Sequence, residues 1–93
     1  MKIFKYELAI TDRQIVKMPL PDELLDIQIQ DGQPVLWAMV NPDEEEVELP
    51  ILCYGTGLDI KNMGMLGDYI ATIQKDGFVW HFFSEHVDWE LEY

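Results

Sequence analysis

His81 and His86, five residues apart and beside Glu85 and Asp88, are the side chains whose types could hold a metal ion. A catalytic zinc takes three converging protein ligands and keeps a fourth position open. On a strand this spacing supplies them only through a bend. His81 is therefore expected as a partly buried strand residue with one hydrogen bond, and His86 as a surface residue. Gly55-Thr56-Gly57 has the look of a phosphate-cradling loop but lacks the further glycines, the Lys-Ser or Lys-Thr pair and the following amphipathic helix that such loops need. A turn in which glycine supplies positive φ is the expectation there. Cys53, the single cysteine, sits between Leu52 and Tyr54 and reads as a core thiol. Ser84, the single serine, stands in no nucleophile elbow. Abundant carboxylates do not by themselves make a pair at a working separation. No catalytic residue, metal or cofactor is expected.

What remains is charge. The 93 residues carry a formal net charge of −12, unevenly placed. Residues 1–42 hold four basic and six acidic groups, net −2, and residues 43–93 hold two and twelve, net −10. Asp43, Glu44, Glu45, Glu46 and Glu48 form a dense run. In the tail, Val87, Trp89, Leu91 and Tyr93 alternate with His86, Asp88, Glu90 and Glu92, which puts acids on one face of a strand and apolar groups on the other. Alternate strand residues lie about 6.6 Å apart, so Asp88, Glu90 and Glu92 would form a regular row of negative charge. Two readings stand side by side. Charged edges keep a β-rich protein from pairing with its neighbours. Alternatively, the row and the run at 43–48, with Trp89, fit a cationic groove otherwise filled by phosphates, and so a partner protein with a basic surface. Such a field opposes direct binding to nucleic acid or to an anionic membrane.

The elements that must position these groups read as strands. Residues 2–10 alternate through Phe4, Tyr6, Leu8 and Ile10, and after a polar turn at 11–14 residues 15–18 return, which suggests an opening hairpin. Pro21 followed by Asp22 and Glu23 suits a single helical turn. Leu25, Ile27 and Ile29 alternate up to Asp31-Gly32, a two-residue hairpin turn. The return strand, 34–40, is apolar throughout from Val35 to Val40, the pattern of a strand covered on both faces and hence of a sheet centre. After an exposed acidic loop, Val47, Leu49, Ile51 and Cys53 mark a strand that Pro50 demotes to an edge or bulge. Residues 58–67 read as a loop with at most a helical turn. Residues 69–74 and 78–83 pair through Asp76-Gly77, and 84–86 read as a bulge or bend before the tail, 84–93, extends the strand.

Six to eight strands in one domain, all-β, in a small antiparallel sandwich or barrel with little helix, is the expected architecture. With 48 % apolar content and eleven aromatic residues the chain has enough to form a core, and Trp37, Trp80, Trp89, Phe82, Phe83 and Tyr93 exceed what a one-sided sheet hides. Either a closed core or a second chain covers them, and a homodimer through the tail is one such arrangement. The N-terminal residues alternate at once and lack the apolar stretch of a signal peptide, so a cytoplasmic location is expected.

Lys5-Tyr6-Glu7-Leu8, Thr11-Asp12-Arg13-Gln14, Met18-Pro19, Ile27-Gln28-Ile29-Gln30, Leu36-Trp37-Ala38, Gly55-Thr56-Gly57 and Tyr69-Ile70 with Gln74 resemble, in patches over residues 1–83, a family of small uncharacterised proteins widespread in bacteriophage and prophage genomes. The Thr-Asp-Arg-Gln and Leu-Trp-Ala segments are the most specific parts. The resemblance implies no activity and no catalytic residue. It implies a phage-encoded protein acting in the cytoplasm of a host bacterium. The chain departs from the usual pattern in the acidic run at 43–48, the loop near 58–67 and the tail. The expected function is a noncatalytic phage accessory protein that binds a host protein, such as a defence or nucleic-acid-processing factor. The alternatives are a self-associating structural or virion assembly protein and, third, a small-ligand or metal-dependent enzyme using His81, His86 and nearby acids.

Overall fold

The computed structural model describes residues 1–86. Seven strands follow one another: β1 (Lys2–Glu7), β2 (Arg13–Pro19), β3 (Pro21–Gln30), β4 (Gln33–Val40), β5 (Glu46–Gly55), β6 (Leu66–Lys75) and β7 (Phe78–Glu85), with a 3₁₀ turn at Met63–Met65 before β6. They form two antiparallel sheets, β1-β4-β3 and β2-β5-β7-β6, stacked as a sandwich. The all-β expectation holds, with seven strands among the described residues.

Two hairpin turns form where the sequence puts Asp-Gly. Asp31 and Gly32 have φ of 52° and 78°, Asp76 and Gly77 of 54° and 82°, the left-handed pair that matches the twist of the flanking strands. β4 is the centre of its sheet, with β1 on one side and β3 on the other. That is why it is apolar on both faces. Leu36, Ala38 and Val40 enter the core, while Val35 is buried and Trp37 and Met39 half-buried on the outer face.

The opening hairpin does not form. β1 pairs with β4 and β2 with β5, so the chain changes sheets between them. It changes back across the single residue Leu20, bracketed by Pro19 and Pro21, whose rings fix φ and offer no ladder donor. Nor is there a helical turn at Pro21: β3 begins there, because proline is equally at home as the first residue of a strand. β3 then takes up register shifts between Pro21 and Glu23 and between Leu24 and Asp26, the bulges that let Leu24 and Ile27, three apart, both face inward.

Pro50 lies at a boundary within β5. β2 runs alongside residues 46–52, whereas β7 pairs only with residues 51–55. Among the described residues the half of β5 that contains Pro50 is thus an edge on the β7 side, and Ile51 and Leu52 are the positions with ladder partners on both sides. Ser84 and Glu85 continue the β7 ladder, and the bulge lies opposite them in β6. The core joins both sheets through Val16, Met18, Ile27, Leu36, Ala38, Val40, Ile51, Cys53, Ala71, Ile73 and Phe82. Phe82, fully buried, stands in register between the small residues Cys53 and Ala71, which leave room for its ring.

Candidate functional site

Three surfaces carry the groups that chemistry or binding could use. The first is an acidic pole. Asn41 begins a tight turn in which its side chain accepts from the Asp43 amide (3.1 Å) and its carbonyl from the Glu44 amide (3.0 Å), and the Glu45 carbonyl accepts from Leu20 at the sheet-changing corner (2.9 Å). Asp43, Glu44 and Glu45 are held there in the loop, while Glu46 and Glu48 already belong to β5, opposite Pro19 and Lys17 of β2. The topology adds two acids that sequence reasoning placed elsewhere. Pro21 of β3 pairs with Val40, the residue before Asn41, so Asp22 and Glu23 stand at the same end. All seven carboxylates are exposed. Asp22, Glu23 and Asp68 further line a shallow groove of about 290 Å³ with Leu24, Ile70 and Ser84. The pole's field reaches inward: the Tyr6 hydroxyl is buried without a hydrogen-bond partner among the described residues, and desolvation first, then Glu46, raises its pKa above the usual phenol range. The other acids of the expected site, Asp88, Glu90 and Glu92, and Trp89 with them, lie outside the described residues.

The second surface is the outer face of the four-stranded sheet. Tyr54, Tyr69 and Phe83 form an edge-to-face cluster around Phe83, with ring centroids 6.4 and 5.7 Å apart. Beside it, His81 makes two hydrogen bonds rather than one: Nε2 to the Thr56 hydroxyl (2.7 Å) and Nδ1 to the Thr72 hydroxyl (2.9 Å), which in turn meets the Tyr69 hydroxyl (2.7 Å). Both ring nitrogens are therefore taken. His86, exposed, donates its backbone amide to Met65, and the structure does not bring its side chain to His81. Arg13 on β2 reaches across β5 to Glu85 on β7 in a two-point ion pair, 2.8 and 3.2 Å, whose hydrogen bond holds the Glu85 carboxyl below its usual range. No group of three or more His, Cys, Asp or Glu is arranged to hold a metal ion among the described residues.

The third is a cleft of about 590 Å³ at the far end of β5, lined by Ile10, Thr11, Asp12, Cys53, Gly55, Leu58, Asp59, Lys61, Asn62 and Trp80, with Tyr54 at its margin. Gln14 fixes its β1–β2 side by bonding both the amide (3.0 Å) and the carbonyl (2.8 Å) of Ala9. On the other side Leu58 donates to the Gly55 carbonyl (3.2 Å), and the Asn62 side chain caps the 3₁₀ turn by accepting from Gly64 (3.1 Å). Gly55-Thr56-Gly57 is the expected turn, with Gly57 at φ 87°. Cys53 is a core thiol, as expected, and burial, then the nearby Asp12 carboxylate, push it up to about 11. At neutral pH it is protonated and a poor nucleophile. Sequence reasoning missed this cleft. Its residues come from three separated segments, and only Trp80 and the glycines of 55–57 stood out as signals.

No helix among the described residues is long and apolar enough to cross a membrane. Comparison with curated proteins and with solved structures finds no match. Over residues 1–91 the chain matches, and so belongs to, the family described as Domain of unknown function (DUF7352).

Proposed function

We propose that this chain is a noncatalytic binding protein that engages a partner with a basic surface through the acidic pole. The observation that carries this reading is the gathering of Asp22, Glu23, Asp43, Glu44, Glu45, Glu46 and Glu48 at one end of a rigid sandwich by strand register, from two segments separated in sequence. Carboxylates held by a packed backbone present charge at fixed spacings and cost little further ordering on binding, which favours a complementary cationic surface over a diffuse ion atmosphere. Taken with the resemblance to phage proteins, the partner we propose is a host factor whose basic surface meets nucleic acid, bound in the host cytoplasm.

The test compares the wild type with a variant carrying Glu44→Gln, Glu45→Gln, Glu46→Gln and Glu48→Gln. Immobilised wild type should retain a basic host protein from lysate at low salt and release it at high salt. The variant, folded by circular dichroism, should retain far less of it. Equal recovery by both proteins would end the proposal. A second reading, self-association, is favoured by the aromatic outer face, where Tyr69 is 60 % exposed and Ile15 42 %. A mass from light scattering that doubles with concentration, and returns to the monomer in Tyr69→Ser, would select it.

A further inference from the structure

We propose that the cleft at the Gly55 end of the sandwich binds an organic cation, an amine or guanidinium on an apolar stem, its head paired with Asp12 and Asp59 and its stem laid against Trp80. The volume, about 590 Å³, lies within the range of small-molecule sites. Its apolar wall is fixed. Trp80 rests directly on Gly55, where a Cβ would stand 3.1 Å from Cζ3 of the indole and 3.2 Å from Cδ1 of Leu58. Glycine is thus the residue that lets the ring lie on the strand.

The polar lining decides the sign of the ligand. Asp12 and Asp59 have no ion-pair partner among the described residues. Arg13, adjacent to Asp12 in sequence, is drawn instead to Glu85 on the sheet's outer face. Lys61 lines the same cleft without reaching either carboxylate. Asp12 is anchored, since its carbonyl accepts from the Cys53 amide (3.1 Å), and its charge reaches the interior strongly enough to help hold the thiol of Cys53 neutral. An indole face attracts cations, most of all where water is excluded. An anion would meet two carboxylates and the field of a protein at −12. The site shares no residue with the acidic pole. The nine steps along β5 from Glu46 to Gly55, at about 3.3 Å each, put the two about 30 Å apart.

The test is a titration of the ¹⁵N-labelled full chain with butylguanidinium, its neutral counterpart butylurea and the anion pentanoate. Butylguanidinium should shift the Trp80 indole N–H and the Gly55 and Asn62 amides in a saturable way while leaving the Trp37 indole in place. Asp12→Asn and Asp59→Asn should each raise its Kd by about two- to fivefold, the range for an exposed ion pair. Lys61→Gln should lower it. These substitutions sit at the cleft rim, and unchanged amide spectra elsewhere establish that each variant is folded. Equal binding of butylurea or pentanoate, weaker binding by Lys61→Gln, or no saturable shift at Trp80 overturns the proposal. The remaining outcomes uphold it and identify the source of the cation: tighter binding of an acetyl-Gly-Arg-Gly amide than of butylguanidinium points to a protein side chain, and equal or weaker binding to a free small cation. The acidic-pole variant should leave this titration saturable, so failure here and failure of the partner proposal are separable.

Discussion

Gly67→Ala tests how tightly the second sheet is closed beside the acidic groove. From Leu66 to Tyr69 β6 advances three residues while its partner β7 retreats two, from Glu85 to Phe83, so Gly67 and Asp68 form a bulge. A Cβ at Gly67 would stand 2.7 Å from the Ser84 carbonyl oxygen, 2.7 Å from Ser84 Oγ and 3.1 Å from the Glu85 carbonyl carbon. The closest ordinary carbon–oxygen approach is about 3.3 Å, so alanine must move the two strands apart by roughly 0.6 Å. The Ser84 hydroxyl cannot simply turn away, because it accepts from the Asp68 amide at 2.9 Å. Overpacking of this kind costs about 1–3 kcal/mol and the strained hydrogen bond about 1 more, against about 0.4–1 kcal/mol recovered by the stiffer unfolded chain. A net loss of about 1–3 kcal/mol lowers Tm by roughly 5–20 °C in a domain of this size. Urea unfolding followed by tryptophan fluorescence measures the loss directly. Adding Ser84→Ala removes only the hydroxyl contact, so the double variant should remain destabilised relative to Ser84→Ala alone. A Gly67→Ala protein as stable as the wild type, or a double variant in which the added alanine costs nothing, would refute the backbone clash.

The Arg13–Glu85 pair should make stability acid-sensitive. Glu85 titrates lower when folded than unfolded, so its contribution is complete above the unfolded carboxyl value, about 4.3, and disappears as pH falls through the folded value. In Glu85→Gln the difference in Tm from wild type should therefore shrink between pH 6 and pH 3, and a constant difference would show that the pair does not respond to protonation. Cys53 acts in the alkaline direction: the unfolded thiol ionises near 8.5 and the folded one at about 11, so stability is complete below the first value and lost as pH rises through the second. The urea midpoint of Cys53→Ala should lie below that of wild type at pH 7.5 and approach it by pH 10.5. Iodoacetamide should correspondingly modify the folded wild type far more slowly at pH 8.5 than the urea-unfolded chain.

The parts of the fold visible in the sequence are those fixed by residues close together in it. Asp31-Gly32 and Asp76-Gly77 specify their turns because both positions need positive φ, and the unbroken apolar run from Val35 to Val40 specifies a strand with neighbours on either side. The opening hairpin does not form because the partners of β1 and β2 lie far along the chain, in β4 and β5, and residues 8–12 pass from one sheet to the other instead of reversing within one. Pro21 with Asp22 and Glu23 satisfied the rules for a helix start and for a strand start alike. What separates the two is Val40 across the ladder, a partner nineteen residues away. Nothing local records it, and the loss of Asp22 and Glu23 from the expected site follows from that one ambiguity.

The acidic run was legible as charge, and its two readings part company on β5. Among the described residues the first half of this strand has no ladder partner on the β7 side, and Glu46 and Glu48 stand there exposed beside Pro50, the combination that protects an open edge from pairing. If edge protection is their whole purpose, amides in their place expose a pairing-competent strand, and the variant should gain mass in light scattering as concentration rises while partner capture stays unchanged. Partner recognition predicts the reverse: Glu44, Glu45, Glu46 and Glu48 as glutamines leave a monomer that no longer holds the basic partner. Asp22, Glu23 and Asp43 weigh toward recognition. Asp43 stands in the turn, outside any strand, and Asp22 and Glu23 lie on β3 of the other sheet, so none of the three guards the open half of β5. Asp22→Asn with Glu23→Gln should therefore weaken capture while leaving the scattering mass alone. A change in mass with capture intact would assign the pole to solubility and remove the argument for a partner.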